Sequence, residues 1–255
     1  MKNNVSISER TYDKDKYRDL LRRPFAHRGV HSVYPENSLP AFQSAVDANL
    51  AIELDVHLSS DGQVVVFHDD NLKRMTGVNE FIKFLTYDQI KQYKLGETDY
   101  IIPTLKDVFD LVRGKVPILI EIKTNNNMKK LVPALKQLIE QYKGVVFIQS
   151  FNPFVLRRCY KAMPNVLRGQ LSSFFVGDHL KFYKKIPIKK LFFKNFSHID
   201  FVSYNIDNLP NKYVNKMNIP VLAWTIKSKD DYAKAKQNAN NVEMGIIPCG
   251  VRIDA

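Results

Sequence analysis

The chain has 255 residues, of which 45% are apolar and 11% aromatic. That is enough for a sizeable core in one large domain or two small ones, and it excludes an intrinsically disordered chain. Two cysteines, Cys159 and Cys249, exclude a disulfide framework and offer no metal-ligand spacing. A net charge of +12, from 38 Lys and Arg against 26 Asp and Glu, implies attraction to an anion: nucleic acid, an anionic membrane surface or a phosphorylated small molecule.

Residues 1–23 read as a polar arm, with a short helix over Asp13 to Arg23 that Pro24 stops. The arm has no apolar core of the kind a signal peptide needs. Apolar runs such as Val116 to Ile120 are too short to span a bilayer, so a cytoplasmic protein is expected. Phe25-Ala26-His27-Arg28-Gly29 is a short strand entering a glycine turn. His27 and Arg28 would face opposite sides of a regular strand, but at a strand end the glycine lets both approach one ligand. Leu39 to Ala48 is the next helix, capped by Asn37 or Ser38.

The strand Ala51-Ile52-Glu53-Leu54-Asp55-Val56-His57 puts Glu53 and Asp55 on one face. Ser59 to Gln63 is a turn and Val64 to Phe67 a second strand. A turn centred on Asp61-Gly62 pairs 59 with 64, 57 with 66 and 55 with 68, bringing His68 beside Asp55. Two carboxylates and an imidazole in one small volume suit a hard metal ion with an acid/base catalyst. The plainer reading leaves Glu53 and Asp55 on the wet side of an alternating strand. His31 and His57 have no matching partner and read as structural or exposed.

Residues 69–103 read as polar loop with a short helix over Thr86 to Tyr93, and with the hairpin they form an excursion of about 58–103 above the main scaffold. Helix Thr104 to Val112 and the buried strand Val116 to Lys123 follow, the latter with Glu121 and Lys123 on one face. Then come helix Met128 to Tyr142, strand Val145 to Ile148 ending at Gln149-Ser150-Phe151, helix Asn152 to Ala162 and strand Val166 to Leu171. Residues 174–197 are the densest basic-aromatic stretch. No single amphipathic period runs through it, which favours connecting helices with aromatics inward and lysines solvated. The other reading is a lid, or a membrane-surface contact through residues 174–194. Strands Ile199 to Tyr204 and Val221 to Thr225, helix Lys229 to Gln237 and a last strand Met244 to Pro248 complete the chain.

Strands leading into helices fall near residues 25, 52, 118, 146, 168, 201, 222 and 246. That alternation predicts an α/β fold, a (β/α)8 TIM barrel with a hairpin excursion after its second strand, filling residues 24–255. Polar residues gather where its strands end: His27 and Arg28, Glu53 and Asp55, Glu121 and Lys123, Ser150, Asn205 and Trp224. Active sites lie on that face of such barrels, which turns the balance away from a wet-face role for Glu53 and Asp55.

The ordered set His27-Arg28-Gly29, Pro35-Glu36-Asn37-Ser38, Ile52-Glu53-Leu54-Asp55-Val56, Asp61-Gly62, Val65-Val66-Phe67-His68-Asp69, Glu121-Ile122-Lys123, Ser150-Phe151 and Trp224-Thr225 resembles the glycerophosphodiester phosphodiesterase family. The resemblance implies a barrel fold and metal-dependent hydrolysis of glycerophosphodiesters to glycerol 3-phosphate and an alcohol. By position it implies Glu53, Asp55 and Glu121 as ligands of one divalent ion, Mg²⁺ or Ca²⁺. It implies His27 and His68 as the acid/base pair, Arg28 and Lys123 as phosphate ligands, and Glu36 and Asn37 as supports. Ser150 and Trp224 are pocket positions. The family's last strand commonly runs Gly-Ile-Ile-Thr-Asp after Gly-Val-Asp; here it reads Asn241-Val242-Glu243 and then Gly245-Ile246-Ile247-Pro248-Cys249-Gly250. Water or the substrate's own glycerol hydroxyl can serve as nucleophile, and either histidine as acid. The alternatives are a lysophospholipase D-like or cyclising phospholipase on the same barrel, or a non-catalytic basic binding protein. No recognised nucleic-acid motif accompanies the lysines, so no nucleic-acid partner is expected.

Overall fold

In a computed structural model of the chain, residues 12–123, 127–176 and 182–245 are described. Residues 1–11 of the arm, part of the basic-aromatic stretch (177–181), the stretch from Ile246 to Pro248 and Cys249 lie outside them. Two compact units divide the chain: Phe25–Val146, and the segments before and after it. No helix among the described residues is long and apolar enough to cross a membrane.

Helix α1 is shorter than expected, Arg18–Leu21, and the arm is not wholly solvated. Tyr17 and Leu20 are buried, and Asn241 Nδ2 donates to Leu20 O (2.7 Å) and Arg23 O (2.8 Å). An apolar pair with its backbone carbonyls satisfied anchors the segment.

Within Phe25–Val146, β1 (Phe25–His27) leads to α2 (Leu39–Asp47) and then to β2 (Ala51–Leu58). Ser38 begins α2 in extended conformation, its side chain accepting from Ala41 N, and Pro40 sits in the first turn, where no helical N–H is needed. Every residue of β2 is buried, so this strand is covered on both faces, as parallel strands are. β3 (Val64–Val66) pairs with it antiparallel.

That hairpin is one residue tighter than expected. The ladder runs Val56 with Val66, His57 with Val65 and Leu58 with Val64. Ser59 N donates to Gln63 O, and Gly62 closes the loop at φ 89°. A three-residue loop ending in a left-handed residue is a favoured hairpin closure, and only glycine enters that region without steric cost. Asp61 is tied to Ser59 Oγ and accepts from Tyr87 N at 3.1 Å. It is thus Phe67, not His68, whose N–H bonds Asp55 O.

The excursion is more than a polar loop. It holds α3 (Lys73–Thr76), a 3₁₀ turn at Ile82–Phe84 and α4 (Tyr87–Ile90), the last opened by a reciprocal Thr86–Gln89 cap. Leu72, Ile82, Ile90, Leu95 and Ile102 pack with Val65 and Phe67 of the hairpin into a core of their own. Helix α5 (Leu105–Val112), capped by Thr104 and Asp107, leads to β4 (Ile118–Ile122) and α6 (Met128–Gln141). β4 lies parallel to β2 on the side away from β1.

In the other unit, β5 (Val146–Ser150), α7 (Pro153–Ala162), β6 (Arg168–Ser172), α8 (Phe182–Lys189), α9 (Lys194–Ser197), β7 (Phe201–Asn205), β8 (Val221–Ile226), α10 (Lys229–Asn238) and β9 (Asn241–Met244) follow. The five strands pair in chain order, all parallel. β9 begins earlier than expected because its polar residues are buried rather than outside the strand. Glu243 is 1% exposed, accepting from Ser203 Oγ (2.5 Å) and Gln149 Nε2 (3.3 Å). Those hydrogen bonds offset the loss of water that makes a buried carboxylate rare.

Candidate active site

Two consecutive left-handed residues, Arg28 (φ 59°) and Gly29 (φ 77°), turn the chain sharply at the end of β1. A Cβ on Gly29 would stand 2.8 Å from the Ala41 carbonyl carbon, so the close approach to α2 admits only glycine. The turn resolves the face problem posed by adjacent His27 and Arg28. His27 Nε2 lies 4.0 Å from Glu53 Oε2, Arg28 N donates to that same oxygen at 3.0 Å, and Arg28 Nε is 3.4 Å from Asp55 Oδ2.

Strand register gathers the carboxylates. His27 is level with Glu53 between β1 and β2, and Asp55 with Glu121 between β2 and β4. Glu53, Asp55 and Glu121 are buried, and one oxygen from each lies within 4.8 Å of the others. Asp55 is held most closely. Asn37 Nδ2 donates to its Oδ2 at 2.9 Å, Asn37 Oδ1 accepts from its N at 3.3 Å, and Lys123 Nζ sits 2.6 Å from its Oδ1. Lys123 also donates to Glu121 Oε1 at 2.7 Å.

The electrostatics follow from this geometry. Burial pushes the Asp55 carboxyl up, but the charges of Lys123, His68 and Arg28 outweigh it and hold Asp55 far below the usual range. For Glu121 burial prevails over Lys123, and its carboxyl lies above the usual range. Burial would lower Lys123, yet Asp55 and Glu121 raise it above an ordinary lysine. Burial and then the Arg28 charge push His27 down to about 3.

Three carboxylates facing two fixed cations leave an excess of one negative charge. Oxygens bound to one Mg²⁺ or Ca²⁺ at about 2.1–2.6 Å stand no more than ~5 Å apart. The three carboxylates meet that limit, and an all-oxygen set suits a hard divalent ion. With such an ion the excess becomes one positive charge, the complement of a phosphodiester monoanion.

His68 Nδ1 is 2.5 Å from Asp69 Oδ1. Arg74 binds Asp69 through Nε (2.6 Å) and Glu36 through Nη2 (2.6 Å), and Arg28 Nη1 donates to Glu36 Oε1 at 3.0 Å. A chain of alternating charge therefore runs from Asp69 through Arg74 and Glu36 to Arg28. His57, read as structural or exposed, is buried, with Nε2 3.2 Å from His68 O and Nδ1 3.7 Å from Asp70 Oδ1. His31 Nδ1 lies 2.8 Å from His27 O. Both contact backbone carbonyls of the two candidate acid/base residues. Asp69 and Arg74 had no role in the sequence reading. The adjacency His68-Asp69 was a signal; nothing in the sequence signals that Arg74 reaches Glu36.

Ser150 and Trp224 belong to the other unit. Ser150 Oγ accepts from Asn152 N at 3.2 Å, which places it at the entry to α7. The Trp224 ring packs edge-on to Phe151, with centroids 5.7 Å apart.

The sequence profile of the Glycerophosphoryl diester phosphodiesterase family matches residues 27–245. A glycerophosphodiester phosphodiesterase of Bacillus altitudinis is 32% identical over 181 residues, covering 66% of this chain and 74% of the relative. Lysophospholipase D GDPD1 of Rattus norvegicus is 36% identical over 202 residues, 70% of this chain; the match spans 62% of that relative's length. Among solved structures, a phosphodiesterase of Oleispira antarctica in complex with the product sn-glycerol-3-phosphate superposes with TM-score 0.77 at 22% identity, covering 90% of this chain and 95% of that one. A glycerophosphodiester phosphodiesterase of Thermotoga maritima does so at 0.69 and 26%, covering 88% and 94%. The fold is thus a (β/α)8 barrel with β3 as an added antiparallel strand, and the class is a barrel phosphodiesterase. Within that class the chain belongs to the glycerophosphoryl diester phosphodiesterase family.

Proposed function

We propose that this enzyme hydrolyses glycerophosphodiesters to glycerol 3-phosphate and an alcohol, with one Mg²⁺ or Ca²⁺ held by Glu53, Asp55 and Glu121. The observation that carries the reading is the convergence of those three buried carboxylates beside Lys123, Arg28 and His27. When bound, the ion would polarise the phosphoryl group and lower the barrier to attack by a hydroxyl.

The chain's own residues account for the rest. Arg28 and Lys123 are the phosphate ligands in this reading, offsetting charge that grows on the phosphoryl oxygens in the transition state. His27, whose Nε2 lies 4.0 Å from Glu53 Oε2, is the residue that accepts the nucleophile's proton in this reading. His68, facing the Asp69 carboxylate, is suited to donate one to the departing alkoxide. Asn37 orients Asp55, and Glu36 accepts from both Arg28 and Arg74, which fixes the Arg28 guanidinium beside Asp55. The product in the Oleispira antarctica complex, sn-glycerol-3-phosphate, supports glycerol 3-phosphate as the common half of the substrate.

The test is release of glycerol 3-phosphate from glycerophosphocholine and glycerophosphoethanolamine, with EDTA, Mg²⁺ and Ca²⁺ in parallel. Release that EDTA abolishes and one of the ions restores is the expected outcome; equal release in EDTA refutes the metal site. The likeness to a lysophospholipase D favours a second reading, in which the diester carries one acyl chain. Lysophospholipid turnover with no release from either soluble diester would select it.

A further inference from the structure

Connecting helices with inward aromatics leave no greasy surface, but the segment after β5 leaves one. Phe154 at the start of α7 is 61% exposed, and Phe192 and Phe196 are 65% and 42% exposed. Phe154 and Phe196 are gathered with Phe193 rather than scattered: Phe154 lies 5.4 Å from Phe196 and 5.8 Å from Phe193, centroid to centroid, and Phe192 adjoins Phe193 in the chain. Contiguous exposed apolar side chains mark an interaction surface, whereas isolated ones do not.

Cations rim the cluster. The Arg157 guanidinium is 5.5 Å from the Phe196 ring and Lys190 Nζ 5.6 Å from the Phe192 ring. The charge is one-sided. Residues 151–199 contain ten Lys and Arg against a single acid, Asp178; of the ten, Arg168 is buried beside Asp200 and does not add to the surface. Nothing in the hydrolytic reading uses this surface.

We infer that this basic-aromatic face docks the enzyme on an anionic phospholipid bilayer. Phenylalanine enters the boundary between headgroups and acyl chains, while long basic side chains reach back to the phosphates. A cluster of lysines and arginines gains from the negative surface potential of anionic lipid, and that gain is screened by salt. The exposed rings gain from entering a hydrocarbon boundary and carry no group for the phosphates of a duplex, which favours lipid over duplex nucleic acid. Docking would bring the enzyme to the surface that supplies phosphodiesters, without any spanning helix.

Co-sedimentation of the full chain with vesicles of phosphatidylcholine alone, and with about a third phosphatidylglycerol, tests this. Binding to the anionic vesicles is expected to be at least tenfold tighter, by order of magnitude about the gain of a few basic contacts, and to weaken in high salt. The triple variant Phe154→Ser, Phe192→Ser, Phe196→Ser should lose roughly tenfold of that binding, while release of glycerol 3-phosphate from a soluble diester is unchanged. Equal binding to both vesicle types overturns the inference. So does full binding by the triple variant, or equally tight binding to duplex DNA that the variant retains, since either leaves only a general polyanion surface. Should the triple variant not fold, Arg157→Gln with Lys190→Gln carries the same test, and wild-type vesicle binding by that pair refutes it.

Discussion

Lys123 Nζ stands 2.6 Å from Asp55 Oδ1, and the two side chains are only 14% and 1% exposed. Before a divalent ion arrives, this lysine is the nearest counter-charge for both Asp55 and Glu121. Removing one partner of a buried ion pair leaves the other uncompensated, at a cost of about 3–5 kcal/mol. Lys123→Met should therefore be destabilised by that order in EDTA and recover part of the loss when Ca²⁺ or Mg²⁺ is added. Urea unfolding in the two conditions measures it. A variant as stable as wild type in EDTA would show that the pair contributes nothing to the fold.

Asn37 donates to Asp55 and accepts from its backbone, locking the carboxylate's rotamer. Partners that orient a metal ligand are worth roughly 10–100-fold in metal affinity or activity. Asn37→Ala should shift the half-saturating metal concentration by that factor. Calorimetric titration of the ion reads it without turnover, and an unchanged affinity would remove Asn37 from the site's support.

His27→Ala and His68→Ala should each lower turnover by about 10²–10⁴, the usual worth of positioned acid/base groups. Asp69→Asn should fall between these variants and wild type, because it keeps the hydrogen bond to His68 but loses the charge. Circular dichroism melts separate a lost proton-transfer group from a lost fold. A histidine variant with full rate would exclude that residue from proton transfer.

Glu36 titrates against two guanidiniums. Burial pushes its carboxyl up, but the Arg74 hydrogen bond and the charges of Arg28 and Arg74 hold it below the usual range. A carboxylate with a depressed folded pKa contributes stability above its unfolded value of about 4.3 and loses it as pH falls through the folded value. Wild type should thus melt higher than Glu36→Gln at neutral pH, with the gap closing below about pH 4. A gap that stays constant with pH would mean that the Glu36 charge is not what matters.

Gly29→Ala places a methyl group 2.8 Å from the Ala41 carbonyl carbon at φ 77°. The expected loss exceeds about 1 kcal/mol, and turnover should fall with it because the same turn presents Arg28. Thermal unfolding with parallel assay of the variant checks both.

Much of this molecule follows from local pattern. The alternation of apolar strands and capped helices marked the barrel, and Asn152-Pro153, Ser38 and Thr104 started helices where their side chains or missing N–H groups require. Glu53, Asp55 and Glu121 stood out because charge on a strand this apolar has to be compensated. What eluded the sequence is what depends on contacts between distant residues. The hairpin's one-residue register was decided by Gly62 and the Asp61 bonds, which the turn composition alone leaves open. Arg74 meets Glu36 across 38 positions, and the buried Glu243 is supported by Gln149 and Ser203. The sequence by itself determined the scaffold and singled out the three carboxylates, since periodicity and charge placement act within a few residues. Only the tertiary structure decided the hydrogen-bond network and which aromatics remain exposed, because solvation and pairing of a side chain depend on what the rest of the fold brings beside it.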